Sequence, residues 1–415
     1  MPVRFVRRQF RYLTLGFGFA LMLVFSAWWL ARPVRHDAFY DAPAGHASQP
    51  GTLLRQEAYE RGVPARAQAW RILYGTTRQN GTPAVASAIV MVSRTATHAP
   101  RPVIAWTHGT TGVAPGCAPS LLDDPFANVP ALPELIHKGW IYVATDYVGQ
   151  GTVGPHPYLV GEGEARSALD SIRALRQMTG LRAGDDTVVW GHSQGGHAAL
   201  WTGILAPEYA PELNLLGVAA VAPASDLQSL LESVSDTPVG RIMSSFILRS
   251  YADAYPDVRF DNYTSGPALP LARDMSARCL AGREALFSVT ESLLLGRSIF
   301  HKEPIHGALG ERLAQNTPNK SLPQPLLIAQ GLADDLVRPE IQTRFVASRC
   351  KAGQVLEYRT YADRDHLSVL APDAPLTHDL VQWTQARFER SPLPAACVGM
   401  DDQQPVAADG AKRRH

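Results

Sequence analysis

The stretch VVWGHSQGGHAALW, residues 188–201, decides the fold. Gly191, Ser193 and Gly195 form the pattern G-x-S-x-G, with an apolar, β-branched run before it and a helix-forming run after it. A serine on such a strand-to-helix turn stands clear of the top of an α/β-hydrolase sheet, and the glycines keep side chains away from the strained turn. The stretch therefore predicts an α/β-hydrolase fold with Ser193 as a nucleophile.

The rest of the chain alternates between short apolar runs and segments of helical spacing. The runs typical of buried strands are 86–92, 102–106, 140–145, 187–190, 217–221, 325–329 and 355–361. The helical segments are 162–178, 195–205, 339–348 and 378–390. This alternation predicts a mostly parallel sheet with helices on both of its faces.

The alternation stops between residues 224 and 318, where the pattern turns helical and irregular. We predict a helical cap there, inserted into a hydrolase core of 37–223 and 319–396, over the strand ends where ligands bind in open α/β sheets. The alternative is a set of extra helices on the side of the core. Residues 36–65 are rich in Pro, Gly and Ala and predict a linker. The polar segment 397–415 predicts a flexible tail.

A serine hydroxyl is a poor nucleophile until a histidine takes its proton and a carboxylate orients that histidine. In this fold the acid precedes the histidine along the chain. Asp334 follows the strand predicted at 325–329 and is the predicted acid, with Asp335 as the alternative; either could instead cap the helix that begins near Pro339. His366 follows the last predicted strand and is the predicted base.

Two backbone amides are predicted to stabilise the oxyanion. The N–H of Gln194 lies at the start of the helix that follows the serine, and helix N-termini favour negative charge. The second donor belongs to the segment HGTTG, which begins at His108 after a strand; Thr110 is the predicted donor and Thr111 the alternative.

Four further histidines have no predicted part in the chemistry. His192 and His197 flank the serine and are predicted to pack or to hydrogen-bond, whereas His301 and His306 lie in the predicted cap. His366 is therefore the histidine to which proton transfer is assigned.

Charge and cysteine spacing restrict the partners. The formal net charge of +1 supplies no general attraction for polyanions, so nucleic acid is not expected as a partner. The cysteines stand far apart and lack the CxxC spacing of zinc sites, and the predicted chemistry requires no metal or organic cofactor. The cysteines are Cys117, Cys279, Cys350 and Cys397.

The N-terminus carries a targeting signal. Residues 13–31 are apolar and uncharged, long enough to span a membrane, and four arginines precede them. Cleavage after Ala27 or Ala31 would place Phe25 or Trp29 at the −3 position, where small residues are the rule. We therefore predict a signal anchor within residues 1–36, with a cleaved signal peptide and a secreted protein as the alternative; in both cases the bulk of the chain lies outside the cytoplasm, on the periplasmic side if the source is bacterial. Four cysteines in that setting predict two disulfides, and three pairings are possible.

Several segments carry a resemblance to a known family. Besides the elbow, they are FYDAP (39–43), PGTLLR (50–55), HGTTG (108–112), CAPS (117–120), DYVGQG (146–151), HPYLVGEGEARSALDSIRA (156–174) and QGLADDLV (330–337). With these segments, most of residues 38–397 resembles the secretory lipase family, best known from fungal lipases and also represented in bacteria.

The resemblance implies an α/β-hydrolase core, a helical cap inserted before the acid strand, and a triad at Ser193, Asp334 and His366. It also implies hydrolysis of acylglycerols or simpler carboxylic esters, and the disulfide pairs Cys117–Cys279 and Cys350–Cys397. The long N-terminal segment departs from the secreted members of the family.

Three hypotheses for the function are consistent with the predicted fold. A carboxylic ester hydrolase with an acyl-enzyme intermediate is the leading hypothesis, with an ester such as an acylglycerol as substrate and a membrane contacted through the N-terminus. An acyltransferase or a peptidase could use the same triad. A non-catalytic binding domain on the same fold is disfavoured because such domains usually lack a member of the triad.

Overall fold

The computed structural model describes residues 32–43, 49–264, 266–393 and 397–399, together with some positions between 12 and 29. The strands are β1 (Leu53–Tyr59), β2 (Ala67–Thr77), β3 (Pro83–Ser93), β4 (Arg101–Thr107), β5 (Ile141–Thr145), β6 (Ala183–His192), β7 (Asn214–Val221), β8 (Leu326–Gly331) and β9 (Leu356–Tyr361). They form one nine-stranded sheet in the order β1-β2-β3-β5-β4-β6-β7-β8-β9. The pairs from β5 to β9 are parallel, and those among β1, β2, β3 and β5 are antiparallel. The predicted fold class is confirmed.

The predicted linker at 36–65 is wrong in part, because β1 lies within it and pairs with β2. β1 is an edge strand whose register with β2 shifts between Leu53 and Arg55, and its middle residues are exposed. An edge strand of this kind has no continuous apolar face, so its composition resembles that of a linker.

Helices cover both faces of the sheet. The α-helices are α1 (Leu132–Lys138), α2 (Gly161–Leu175), α3 (Gln194–Tyr209), α4 (Leu227–Val234), α5 (Pro238–Ala254), α6 (Ala268–Met275), α7 (Glu284–Leu295), α8 (Gly307–Asn316), α9 (Pro339–Lys351) and α10 (Pro375–Phe388). α2, α3 and α9 contribute to the apolar core on one face of the sheet, and α1 and α10 to the core on the other. Along β4 the side chains alternate, with Val103 in the first core and Ile104 in the second.

The helices α4 to α8 lie between β7 and β8, in the region predicted as a helical cap. This insertion, residues 224–318, has an apolar core of its own. Tyr158, Leu159 and Val160, which precede α2, belong to the same core and join the insertion to the sheet domain. The domain boundaries themselves stay a prediction.

Two disulfides join distant parts of the chain. Cys117, which follows β4, is bonded to Cys279 in the insertion, and Cys350 at the end of α9 is bonded to Cys397. These are the pairs that the family resemblance implies. Disulfides are typical of proteins that fold in an oxidising compartment.

The structure describes the two ends of the chain only in part. The tail was predicted to be flexible from residue 397, but Val398 accepts a backbone hydrogen bond from Tyr358 and donates one to Leu356 in β9; residues 400–415 lie outside the described part. The predicted anchor at 13–31 is described only in part. Among the described residues, none of the helices combines the length and the apolar character that a membrane crossing requires.

Candidate active site

Ser193 stands on a turn between β6, which ends at His192, and α3, which begins at Gln194. Its backbone has φ +58° and ψ −119°, a conformation that costs a non-glycine residue on the order of 1–3 kcal/mol. The turn brings β6 and α3 so close that a Cβ at Gly191 would collide with the backbone of Gly195. The start of α3 also lies against the end of β4, where a Cβ at Gly195 would collide with the backbone of Thr107. The strained turn therefore requires the two glycines of the G-x-S-x-G pattern.

Three side chains form a continuous hydrogen-bonded chain at the carboxyl ends of the strands. The Oγ of Ser193 lies 2.9 Å from Nε2 of His366, and Nδ1 of His366 lies 2.8 Å from Oδ2 of Asp334. Asp334 follows β8 and His366 follows the neighbouring parallel strand β9, so their loops meet at one edge of the sheet. The structure brings together the serine, acid and histidine that the sequence predicts.

Asp334 is held in place by other hydrogen bonds. Its Oδ1 accepts from the backbone N–H groups of Leu336 (2.9 Å) and Val337 (2.8 Å), and its Oδ2 accepts from Nε2 of Gln330 (3.2 Å). Because a carboxylate only accepts, the hydrogen on His366 lies at Nδ1, which leaves Nε2 free to accept the serine proton. Asp335, the alternative acid, is exposed to solvent, and Nδ1 of His366 is paired with Asp334 instead.

The segment after β4 lies beside the serine and is held on several sides. A Cβ at Gly109 would lie 3.8 Å from Cβ of Ser193. The hydroxyl of Tyr147 donates to the carbonyl of His108 (3.2 Å), and Nε2 of Gln150 donates to the carbonyl of Gly112 (2.7 Å). These contacts fix the backbone that carries the predicted oxyanion donor.

The two predicted donor amides are available. Within the described part of the chain, the backbone N–H of Thr110 has no hydrogen-bond acceptor. The N–H of Gln194 belongs to the first turn of α3, where amides lack an intrahelical acceptor. The side chain of Thr110 contacts the hydroxyl of Tyr158 (3.0 Å), and the carbonyl of Thr111 accepts from the N–H of Leu280 in the insertion (2.7 Å).

His192 is buried and has a defined partner, as predicted. Its Nε2 donates to the carbonyl of His366 at 2.8 Å, and the two rings lie 4.6 Å apart. Burial lowers the pKa of His192 well below its usual 6.5, so the ring stays neutral. His192 thus holds the backbone of the loop that carries His366.

A narrow apolar cavity lies over Ser193. Its walls come from α4 and α5 of the insertion, from the loop that holds Asp334, and from Tyr158 and Leu159. Its volume of about 20 Å³ is close to that of one water molecule. The insertion therefore covers the serine, and an ester with an acyl chain needs more room than this conformation provides.

In the part of the chain that is described, no cluster of His, Cys, Asp and Glu has the arrangement of a metal site.

The sequence did not single out several residues that support this site. Tyr147 and Gln150 hold the oxyanion segment, and Glu164 and His156 lie against Gln194. All four fall within the segments DYVGQG and HPYLVGEGEARSALDSIRA. In the sequence these segments carry the family resemblance but no pattern typical of catalysis, so nothing in them points to Ser193.

The fold and the site together define the class of protein: a serine hydrolase of the α/β-hydrolase fold. The chain belongs to the secretory lipase family, whose profile matches residues 127–395. It is thus a carboxylic ester hydrolase.

Individual relatives agree with this assignment. The chain is 25% identical to Lipase 6 of Candida albicans, in an alignment that covers 91% of this chain and 86% of that protein. It is 26% identical to the secreted triacylglycerol lipase LIP3 of Malassezia globosa, with 88% and 83% covered. The solved structure of Candida antarctica lipase A superposes with a TM-score of 0.71 at 18% identity, with 87% of each chain covered, and this likeness concerns the fold.

Proposed function

We propose that this protein hydrolyses carboxylic esters, acylglycerols among them, with Ser193 as nucleophile, His366 as general base and acid, and Asp334 as the orienting acid. The observation that carries the proposal is the unbroken hydrogen-bonded chain from Ser193 through His366 to Asp334. The acylglycerol substrate is suggested by the name of the Malassezia relative.

In the proposed reaction Nε2 of His366 takes the proton of Ser193 as Oγ attacks the ester carbonyl. The backbone N–H groups of Gln194 and Thr110 donate to the oxyanion of the tetrahedral intermediate. His366 then protonates the departing alcohol, which leaves an ester between Ser193 and the acyl group. Water deprotonated by His366 attacks that ester, and His366 returns the proton to Oγ of Ser193 as the bond to the acyl group breaks and the acid leaves. Asp334 keeps the hydrogen of His366 at Nδ1 and stabilises the imidazolium.

The surroundings of the serine favour an acyl group over a peptide. Leu231 and Val234 of α4 and Ile247 of α5 present apolar surface toward Ser193 and offer no partner for peptide N–H and C=O groups. Because the cavity is narrow, the residues that line it must shift before an acyl chain can enter. An acyltransferase would share these features. The product distinguishes the two enzymes, because a hydrolase releases a free acid and an acyltransferase forms a new ester.

The proposed location is outside the cytoplasm, with residues 13–31 holding the chain at a membrane. Positive charge before an apolar segment supports this orientation, and the two disulfides suit an oxidising compartment. Extraction of membranes from expressing cells with alkaline carbonate tests the attachment: the full chain should stay with the membranes, and a chain that begins at residue 37 should be released.

Replacement of Ser193 tests the reaction. The Ser193→Ala variant should lose turnover of p-nitrophenyl butyrate while its circular dichroism and melting temperature stay close to those of the wild type. Ser171→Ala is a matched control, because Ser171 is also buried but its hydroxyl donates to the carbonyl of Ala168 within α2. Substantial turnover by the Ser193→Ala variant would contradict the proposed mechanism.

A further inference from the structure

A fully buried acid lies directly behind the catalytic turn. Glu164 of α2 has no exposed side-chain surface. Its Oε1 accepts from the backbone N–H of Leu159 (3.0 Å) and from Nε2 of Gln194 (2.7 Å). Its Oε2 lies 3.2 Å from Nδ1 of His197, which is equally buried. An ionisable group at such depth is costly unless it is well hydrogen-bonded, and the triad chemistry makes no use of it.

A proton must lie between Glu164 and His197. Nε2 of His197 faces the carbonyl of Asn316 at 2.8 Å, and because a carbonyl only accepts, this nitrogen carries a hydrogen. The contact at Nδ1 is then either a carboxylic acid donating to a neutral imidazole or an imidazolium donating to a carboxylate. The pair has no net charge in either case. Burial raises the pKa of Glu164, because a carboxylate whose charge is not balanced is unfavourable at this depth.

The side-chain amide of Gln194 is fixed from two sides. One hydrogen on its Nε2 goes to Glu164 and the other goes to Nε2 of His156, at 3.1 Å. His156 can accept there because its Nδ1 faces the carbonyl of Val148 (3.3 Å) and burial lowers its pKa to about 3. Gln194 therefore has one orientation, and it is the residue whose backbone N–H is the proposed oxyanion donor.

We infer that Glu164 is a positioning residue for the oxyanion: by holding the side chain of Gln194, it sets the direction of the Gln194 backbone N–H toward the reacting carbonyl oxygen. The inference rests on the proposed function, because it needs Gln194 as a donor.

The same network extends to the insertion. Asn316, the last residue of α8, accepts from His197 and from Nε1 of Trp201 (2.8 Å) at its carbonyl. Its side-chain oxygen accepts from the N–H of Gly161 at the start of α2 (2.9 Å). The end of the insertion is therefore tied to the two helices that carry Glu164 and Gln194.

The expected effect is on the transition state. Loss of a whole oxyanion donor typically lowers kcat about 10²- to 10³-fold, and a donor that is only displaced loses part of that. We expect Glu164→Ala to lower kcat about 10- to 100-fold and to leave KM within about threefold, because an oxyanion donor acts on the transition state more than on the bound ester.

The experiment compares three variants by kcat, KM and melting temperature. Glu164→Gln can keep the bonds, because a carboxamide oxygen accepts from Leu159 and Gln194 while its N–H donates to His197; kcat should stay within about threefold of wild type. Asp170→Asn is the matched control. Asp170 is also fully buried in α2 but bonds to Thr76 (2.7 Å) and Tyr209 (2.8 Å), away from the serine, so this variant should lower the melting temperature and leave kcat unchanged.

A second readout separates positioning from general destabilisation. The inhibition constant of a butaneboronic acid, which forms a tetrahedral adduct with a serine, should rise for Glu164→Ala in proportion to the fall in kcat. An unchanged kcat and inhibition constant, or a change in KM alone, would overturn the inference.

If Glu164→Ala does not fold, Gln194→Met removes the same side-chain contacts and keeps the backbone N–H. A kcat equal to wild type in that variant would also overturn it. Loss of activity in Ser193→Ala, measured in parallel, tests the proposed function separately.

Discussion

Replacement of Asp334 by Asn tests the orientation of His366. Oδ1 of Asp334 accepts from two backbone N–H groups, so an Asn must place its own oxygen there. Its NH₂ group would then take the position of Oδ2 and donate to Nδ1 of His366. That contact stabilises the tautomer with hydrogen at Nε2, which cannot accept the proton of Ser193.

The opposite orientation of the new Asn is also unfavourable. It would direct the NH₂ group at the N–H groups of Leu336 and Val337, where an acceptor is required. The first orientation has a single conflict of this kind, because its NH₂ group would face Nε2 of Gln330, which also donates to the carbonyls of Gly331 and Val337 (both 3.0 Å). The wrong tautomer of a catalytic histidine lowers kcat about 10⁴-fold in a well-studied serine protease, which is about 5.4 kcal/mol of transition-state stabilisation.

The assay is kcat/KM for p-nitrophenyl butyrate, with the melting temperature as a measure of folding. Asp334→Asn should lose about 10⁴-fold, and Asp335→Asn, which alters an exposed neighbour rather than the partner of Nδ1 of His366, should stay within about threefold of wild type. A larger loss in Asp335→Asn, or a loss below about tenfold in Asp334→Asn with the fold intact, would refute this account of the acid.

Three further predictions follow from contacts around the site. His192→Ala removes the N–H that holds the carbonyl of His366, so kcat/KM should fall about tenfold, the effect of a lost buried hydrogen bond on a catalytic loop; an unchanged kcat/KM would contradict it. Removal of the Cys117–Cys279 disulfide, whose cysteines are 162 residues apart, by replacing both with Ala should cost about 2–5 kcal/mol of unfolding free energy, measured by denaturant titration beside wild type; equal midpoints would contradict it. His156 has a pKa of about 3 in the folded state and about 6.5 when unfolded, so the unfolded chain binds the proton first as pH falls. The difference in unfolding free energy between wild type and His156→Gln, measured by urea titration, should therefore shrink as pH falls from 6.5 to 3. A difference that stays constant over this range would show that His156 is not held neutral.

Much of the site could be predicted because its signals are local. The turn at Ser193 requires glycines at fixed positions on either side, and the order of acid and histidine follows from the order of the strands. The sequence favours Asp334 over its direct neighbour Asp335 because the acid must follow the strand closely, and in the structure Asp334 is the one that lies 2.8 Å from Nδ1 of His366. The structure adds the reason: only Asp334 turns inward to the backbone of the loop.

Other features depend on contacts between distant segments. Glu164 reaches Gln194 and His197 from a different helix, and Gln150 reaches the oxyanion segment from the loop after β5. Such pairs leave no pattern in either segment alone. β1 was missed for a related reason, since an exposed edge strand is defined by its partner β2 rather than by apolar residues of its own.

The central claim is that Ser193 is the residue acylated in the reaction, and covalent labelling tests it most directly. The protein is treated with a fluorophosphonate ester, digested, and examined by peptide mass spectrometry, with the Asp334→Asn and Ser171→Ala variants alongside. The account predicts one phosphonate adduct, on Ser193, that forms at the wild-type rate in Ser171→Ala and far more slowly in Asp334→Asn. An adduct on another residue, or hydrolysis of p-nitrophenyl butyrate that persists after Ser193 is fully labelled, would contradict it.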